Sequence, residues 1–274
     1  MNCNICGAPT ELAFRTRILG KYDAAYLRCT ACGFIQVEAP HWLDEAYSSA
    51  VAEIDLGPIN RALIGSRLVE NLILACFDPN ARYVDWGGGY GVFTRMMRDL
   101  GYDFYWADRY CENLFAKPFE ADPSQRYELL TAFELFEHLV DPLAEIEQML
   151  TLAPNIFFST LLVPPNVQPN WWYFLPETGQ HIALYTREAL EEIARRFGLH
   201  LSSDGVNNHL LSRAPISPRV FRTMVRDGRL AAVVRRVLRR RAGKTTLLEK
   251  DFEAVSGLRL VSAPREVSET PVNR

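Results

Sequence analysis

The sequence predicts an α/β protein: a parallel sheet covered by helices, preceded by a small N-terminal module of zinc-ribbon type and followed by a basic, helical C-terminal extension. Three observations carry this. From about residue 58, apolar and β-rich runs alternate with helical ones, the pattern of a sheet covered on both faces. One of these runs ends in YVDWGGGYG, residues 83–91, with four glycines in its last five positions. Two Cys-x2-Cys-Gly units lie within the first 33 residues.

With 274 residues, 48% of them hydrophobic, the chain can bury one sizeable core and a small satellite module. Its net charge of -3 gives no global drive toward nucleic acid or membrane. The N-terminal MNCNICGAPT has neither a basic nor an apolar signal region, and no run approaches eighteen consecutive apolar residues, which predicts a cytoplasmic protein. In that compartment the six cysteines read as thiols or metal ligands rather than disulfides.

The module spans residues 1–40. Cys3-x2-Cys6-Gly7 and Cys29-x2-Cys32-Gly33 are separated by 22 residues, room for a hairpin built from LAFRTRI and AAYLRC. Two residues between thiols let one tight turn present both sulfurs to one ion, and the trailing glycine permits the positive φ such a turn needs. The four thiolates predict a structural zinc site, since nothing nearby supplies an open coordination position or a base. Cys76 and Cys111 read as ordinary thiols.

Residues 41–57 are an aromatic linker. The central domain, residues 58–212, opens with a helix, PINRALIGSRLVENLILAC, its proline in the first turn. Then come the strand ARYVDW, the glycine turn, a helix closed by Gly101 and the strand DFYWAD. LLTAFELF and NIFFSTLLV are further β-rich runs flanking the helical DPLAEIEQMLTLA, and TREALEEIARRFG is a helix ended by glycine. Residues 213–274 form the extension. Between Arg213 and Lys250 it holds twelve Lys or Arg against two acids, with apolar Val220, Met224, Val234, Val237 and Leu238 at helical spacing. This reads as a helix docked on the core with a solvated basic face, or as a contact for an anionic membrane surface or polyanion.

The glycines decide the chemistry. Neither register completes the G-x-G-x-x-G of nicotinamide binding, because Val92 and Thr94 stand where the last glycine belongs. The pattern is Asp85-x-Gly87-x-Gly89-x-Gly91, which resembles motif I of the class I S-adenosylmethionine-dependent methyltransferases, a Rossmann-like fold; the resemblance covers residues 58–200. It implies that Asp85 stands near the methionine moiety of S-adenosylmethionine and that Gly87, Gly89 and Gly91 pass beneath the cofactor. Asp108, nineteen residues after Gly89, would accept hydrogen bonds from both ribose hydroxyls. YELLTAFELFEHLVDPL is similar to the family's fourth strand and following loop, which places Glu134, Glu137 and His138 at the cofactor and substrate rim. The segment after Asp108 is too short for a full helix and third strand, and there Phe119 or Glu120 would flank the adenine.

Methyl transfer from a sulfonium is an in-line displacement, so the protein positions the reactants and, where needed, removes a proton. His138 and His181 are the candidate bases, with Glu137 or Glu134 beside His138. His181 lies in WWYFLPETGQHIALYT, an aromatic loop expected to cover the acceptor site, where Trp171, Trp172 and Tyr173 stack on a flat or sugar-like acceptor or pack in the core. A four-cysteine module on such a domain resembles sugar-modifying methyltransferases of polysaccharide and natural-product pathways, which implies a small-molecule or glycan-linked acceptor such as a nucleotide sugar or polysaccharide precursor. Two rival readings are an idle methyltransferase fold used for binding, and a nucleic-acid methyltransferase. The latter lacks the Asn/Asp-Pro-Pro-aromatic motif at Pro164-Pro165.

Overall fold

A computed structural model describes residues 1–47, 56–226 and 228–259. The chain opens on the Cys3–Cys6 turn and continues into an antiparallel hairpin, β1 (Thr10–Ile18) and β2 (Tyr22–Cys29), turned at Leu19-Gly20. The second cysteine turn leads into β3 (Ile35–Val37), antiparallel to β2, and then a short helix, α1 (Leu43–Ala46). After the linker come α2 (Pro58–Cys76), β4 (Arg82–Trp86), α3 (Val92–Asp99), β5 (Asp103–Ala107), β6 (Leu129–Ala132), α4 (Pro142–Leu152) and β7 (Ile156–Ser159). The aromatic loop carries β8 (Ala183–Leu184), followed by α5 (Arg187–Phe197), β9 (His200–Ser203) and β10 (Asn208–Ser212). Three helices close the described chain: α6 (Pro218–Met224), α7 (Arg229–Arg241) and α8 (Leu248–Ser256). No described helix is long and apolar enough to cross a membrane.

The main sheet runs β5-β4-β6-β7-β10-β9, the first four strands parallel and the last two antiparallel. β6 and β7 are buried at every position, as strands covered on both faces must be. The parallel strands all end on one edge, where β4 gives way to the glycine turn, the edge at which ligands bind in such sheets. The expected abbreviation after β5 is present: the third strand is a single parallel bridge, Trp106 to Glu120.

The module is sewn into this body. β8 completes its sheet by pairing with β3, giving the order β1-β2-β3-β8. Cys3, Ile5, Cys29, Cys32 and Phe34 share one apolar cluster with Phe136, Ile156 and Tyr185 of the central domain. At the other end of the chain, Phe221 is fully buried and packs with Val69, Leu72 and Phe104. Arg98, 5% exposed, makes two hydrogen bonds to the Asp251 carboxylate, which ties α8 to α3. Removing one partner of such a buried pair costs about 3–5 kcal/mol, so this contact anchors the C-terminal helices.

Candidate active site

The glycine turn is built from its hydrogen bonds outward. The Gly87 and Gly88 amides donate to the Ala107 carbonyl at 2.8 and 3.1 Å, which ties the end of β4 to the end of β5. Gly91, at φ +86°, caps α3, and a Cβ there would lie 3.1 Å from the Ala116 backbone nitrogen. A Cβ on Gly89 would meet open space, so nothing packs over the backbone at this position. Beneath the turn Asp85 is buried and accepts from Thr131 Oγ1 at 2.8 Å and Thr94 Oγ1 at 3.4 Å. Burial raises its carboxyl to about 7, against the opposing pull of those two hydroxyls.

Asp108 stands at the tip of β5. Its Oδ2 accepts from the Gly89 amide at 2.9 Å, and its Oδ1 from the Tyr110 and Cys111 amides at 2.7 and 2.9 Å. Three of a carboxylate's about four lone-pair sites are thereby occupied, which leaves room for one hydroxyl rather than the expected two unless the turn opens. The Phe119 ring lies 3.6 Å from the Arg98 guanidinium, which bonds Asp103 and the Phe104 carbonyl further down β5. Glu120 is held by Asn113 Nδ2 at 2.8 Å. The segment that does cover the turn is the loop 113–116, which packs on Gly91 and exposes Leu114 and Phe115 by about half, at 51% and 57%. Its Leu114 and Phe115 amides bond to the Tyr90 carbonyl. The sequence signal for it, NLF beside an acid, was too short to distinguish from any loop.

Across the same edge a second group of side chains converges. Glu134 takes up φ +47°, rare outside glycine, and is locked to the end of β7: its amide donates to Ser159 Oγ at 2.9 Å, and Ser159 Oγ donates to its Oε1 at 2.6 Å. Glu137 and His138 follow in a 3-10 turn, Phe136–His138. Ligand atoms of Glu137, His138 and His181 all lie within 4.8 Å of one another, so the structure brings together residues 43 positions apart. Such an array can hold a substrate hydroxyl, or a metal ion.

The hydrogen bonds fix the state of each member. His181 Nδ1 lies 2.6 Å from the Tyr173 carbonyl, which can only accept, so Nδ1 carries the proton and Nε2 presents a lone pair. Burial depresses this imidazole to about 4, keeping it neutral. Tyr173 Oη donates to Glu137 Oε1 at 2.6 Å, while the buried Oε2 has no partner. Burial, and then the Glu134 carboxylate nearby, raises Glu137 to about 8. His138 Nδ1 is 2.7 Å from Tyr47 Oη, and the Tyr47 ring stacks on Tyr110 at 5.8 Å. Tyr47, in the linker, is thus a residue of this array that sequence reading missed, and Tyr173, expected either to stack on an acceptor or to pack in the core, is buried and clamps Glu137. Of the two tryptophans, Trp172 is exposed and Trp171 packs against the core around Tyr26 and Phe174. Gln180 Nε2 bonds the Ala46 carbonyl and holds the loop to α1.

The cysteine module positions His181. Tyr26 Oη of β2 donates to the His181 carbonyl at 3.0 Å. The next residue is clamped from both sides, its amide to the Glu137 carbonyl at 2.9 Å and its carbonyl to the Val37 amide at 3.0 Å. The four thiols form one cluster, with Cys3 and Cys32 sulfurs 3.7 Å apart and Cys6 and Cys29 sulfurs 3.4 Å apart. Bonds of about 2.3 Å in a tetrahedral zinc site require sulfurs about 3.8 Å apart. The Ile5, Ala31 and Cys32 amides point at Cys3 or Cys29 sulfurs at 3.4 Å, the donors that thiolates need, and Gly7 and Gly33 take φ +77° and +70°. The donor set fits one zinc ion.

The raised carboxyls carry a stability consequence. Asp85 and Glu137 keep their protons in the fold to about pH 7 and 8, whereas in the unfolded chain they lose them near 4. Between those values the folded state binds more protons, so stability present near pH 4 falls as pH rises through 7 and 8. His181 acts oppositely, but only below about 6.5, where the unfolded imidazole charges. Denaturation between pH 6.5 and 8.5 is therefore expected to show stability falling with pH, and Glu137→Gln to flatten that slope; an unchanged slope would contradict the buried, protonated Glu137.

The family described as "Methyltransferase domain" matches residues 60–203, over half of the chain. No curated protein matches the sequence. Among solved structures, magnesium protoporphyrin IX methyltransferase from Synechocystis PCC 6803 with bound S-adenosylhomocysteine is 13% identical, with 62% of this chain and 90% of that one covered and a TM-score of 0.42. CalO1, a methyltransferase in calicheamicin biosynthesis, is 15% identical over 62% of this chain and 60% of that one, with a TM-score of 0.41. At this identity and TM-score neither assigns an acceptor to this chain.

Proposed function

We propose that this chain, which belongs to the methyltransferase-domain family and is by that membership an S-adenosylmethionine-dependent methyltransferase, methylates a hydroxyl on a small-molecule or glycan-linked acceptor. The observation that carries the acceptor is the socket between Glu137 and His181. There ligand atoms of Glu137, His138 and His181 lie within 4.8 Å of one another, His181 Nε2 keeps its lone pair, and Glu137 Oε2 is buried without a partner. The Glu137 carboxyl, protonated in the fold, can donate to a substrate oxygen, and the His181 lone pair can accept from a substrate donor, so a hydroxylated acceptor satisfies both.

The roles follow from burial. Asp108 and the amides around Gly89 hold the cofactor, which supplies an electrophilic methyl group when bound. His181, held neutral, accepts a hydrogen bond from a second donor on the acceptor and orients it, which leaves the hydroxyl's one proton to face His138. His138, half-buried at the rim, takes the proton as the oxygen attacks, and Tyr47 holds its ring. Exposed Trp172, edge-on to Tyr173 at 5.3 Å, offers a face for a sugar ring. Zinc on Cys3, Cys6, Cys29 and Cys32 keeps β2 and β3 in place and with them the His181 loop.

The reading is tested with radiolabelled S-adenosylmethionine and a panel of hydroxylated acceptors, nucleotide sugars among them. His181→Asn is expected to raise KM for the acceptor by about tenfold with a smaller change in kcat, because it loses an orienting contact worth about 1–1.5 kcal/mol. Turnover only on amine or carbon acceptors would overturn it. Metal analysis is expected to find one zinc per chain, and Cys6→Ser or chelation to lower both Tm and turnover while the central sheet persists by circular dichroism. Full activity of a zinc-free protein would contradict the positioning role.

A further inference from the structure

α7 carries two faces of opposite purpose. The inner one docks: Ala231 is 1% exposed, Val234 packs on the cluster around Phe221, and Arg235 and Arg239 pair with Glu70 of α2. The outer one is unexpected. Leu230, Val233 and Val237 are 64%, 60% and 45% exposed, and at about 100° per residue they form one stripe. Arg229, Arg236 and Arg240 line one flank of that stripe and Arg241 the other, all exposed and without an ion-pair partner among the described residues. A helix whose only purpose was docking would turn its apolar residues inward and leave the outer face polar. α8 repeats the arrangement, with Asp251 held inside while Leu248, Phe252 and Val255 are exposed.

We infer that α7 lies on an anionic phospholipid surface, its Leu230–Val233–Val237 stripe inserted among the acyl chains and its arginines on the headgroups. Charge complementarity selects this occupant. The segment from Arg213 to Lys250 has an excess of ten positive charges within a chain of net charge -3, so attraction to anions is confined to one region of an otherwise acidic body. The apolar stripe separates a bilayer from a soluble polyanion: phosphate contacts need only the arginines, whereas insertion needs both. Such docking places the enzyme beside acceptors carried on lipid.

The test is co-sedimentation of the full-length protein with vesicles of phosphatidylcholine alone or with phosphatidylglycerol, at low and physiological salt. Binding to the anionic vesicles only is expected. Arg236→Glu with Arg240→Glu, and separately Leu230→Ser with Val233→Ser, are each expected to weaken it more than tenfold while S-adenosylmethionine binding is unchanged. No binding to anionic vesicles would overturn the inference. So would loss with the arginine variant alone, with equal binding to RNA, which would make the face a polyanion site.

Discussion

His138→Ala is expected to lower kcat by about 10²–10⁴ while leaving S-adenosylmethionine affinity within threefold, the effect of removing a positioned proton acceptor. The role of base proposed for His138 rests on its place: half-buried at the strand edge, in the array with Glu137 and His181, its ring fixed by Tyr47. His181 is the poorer base because burial depresses it to about 4, which suits it to accept a hydrogen bond rather than a proton. The split is therefore diagnostic: kcat for His138, acceptor KM for His181. Tyr47→Phe provides the intermediate case, since it keeps the stack on Tyr110 and loses only the hydroxyl; a fall in kcat smaller than that of His138→Ala is expected. Equal kcat in wild type and His138→Ala would assign proton removal elsewhere.

Asp108→Ala is expected to weaken S-adenosylmethionine and S-adenosylhomocysteine binding by about 30- to 1,000-fold, or about 2–4 kcal/mol. Two losses add. One is the charge-assisted hydrogen bond that the proposed role gives Asp108 to the ribose. The other is the anchor of the turn itself, because the Gly89, Tyr110 and Cys111 amides lose their acceptor. Asp108→Asn separates them, since it retains an oxygen for the Tyr110 and Cys111 amides but sets an amide donor against Gly89. An Asn variant that binds like wild type would show that neither the charge nor the Gly89 contact matters.

Much of this was legible in the sequence because it is local. Cys-x2-Cys-Gly turns, a glycine turn between strand and helix, and Pro58, Gly101 and Gly198 as helix punctuation each depend on few residues. That the helix and third strand after Asp108 are abbreviated followed from counting residues; the structure reduces the strand to one bridge. What escaped was long-range. Nothing near Tyr47 announces a bond to a histidine 91 residues away, and nothing near β8 announces that two residues would complete the sheet of the N-terminal module. The contact of the Phe119 ring with Arg98 escaped for the same reason, because Arg98 is held by Asp251 at the far end of the chain. The apolar stripe of the extension was visible as periodicity, yet periodicity does not say which face turns inward: Met224 and Val234 do, Val237 does not.

The central claim, that the glycine turn beside Asp108 is a working cofactor site, is tested most directly by calorimetric titration of the zinc-loaded wild-type protein with S-adenosylhomocysteine. One site per chain with micromolar affinity is expected. A folded, zinc-loaded protein that binds neither S-adenosylhomocysteine nor S-adenosylmethionine would contradict it and leave the Glu137–His138–His181 socket without a methyl donor to serve.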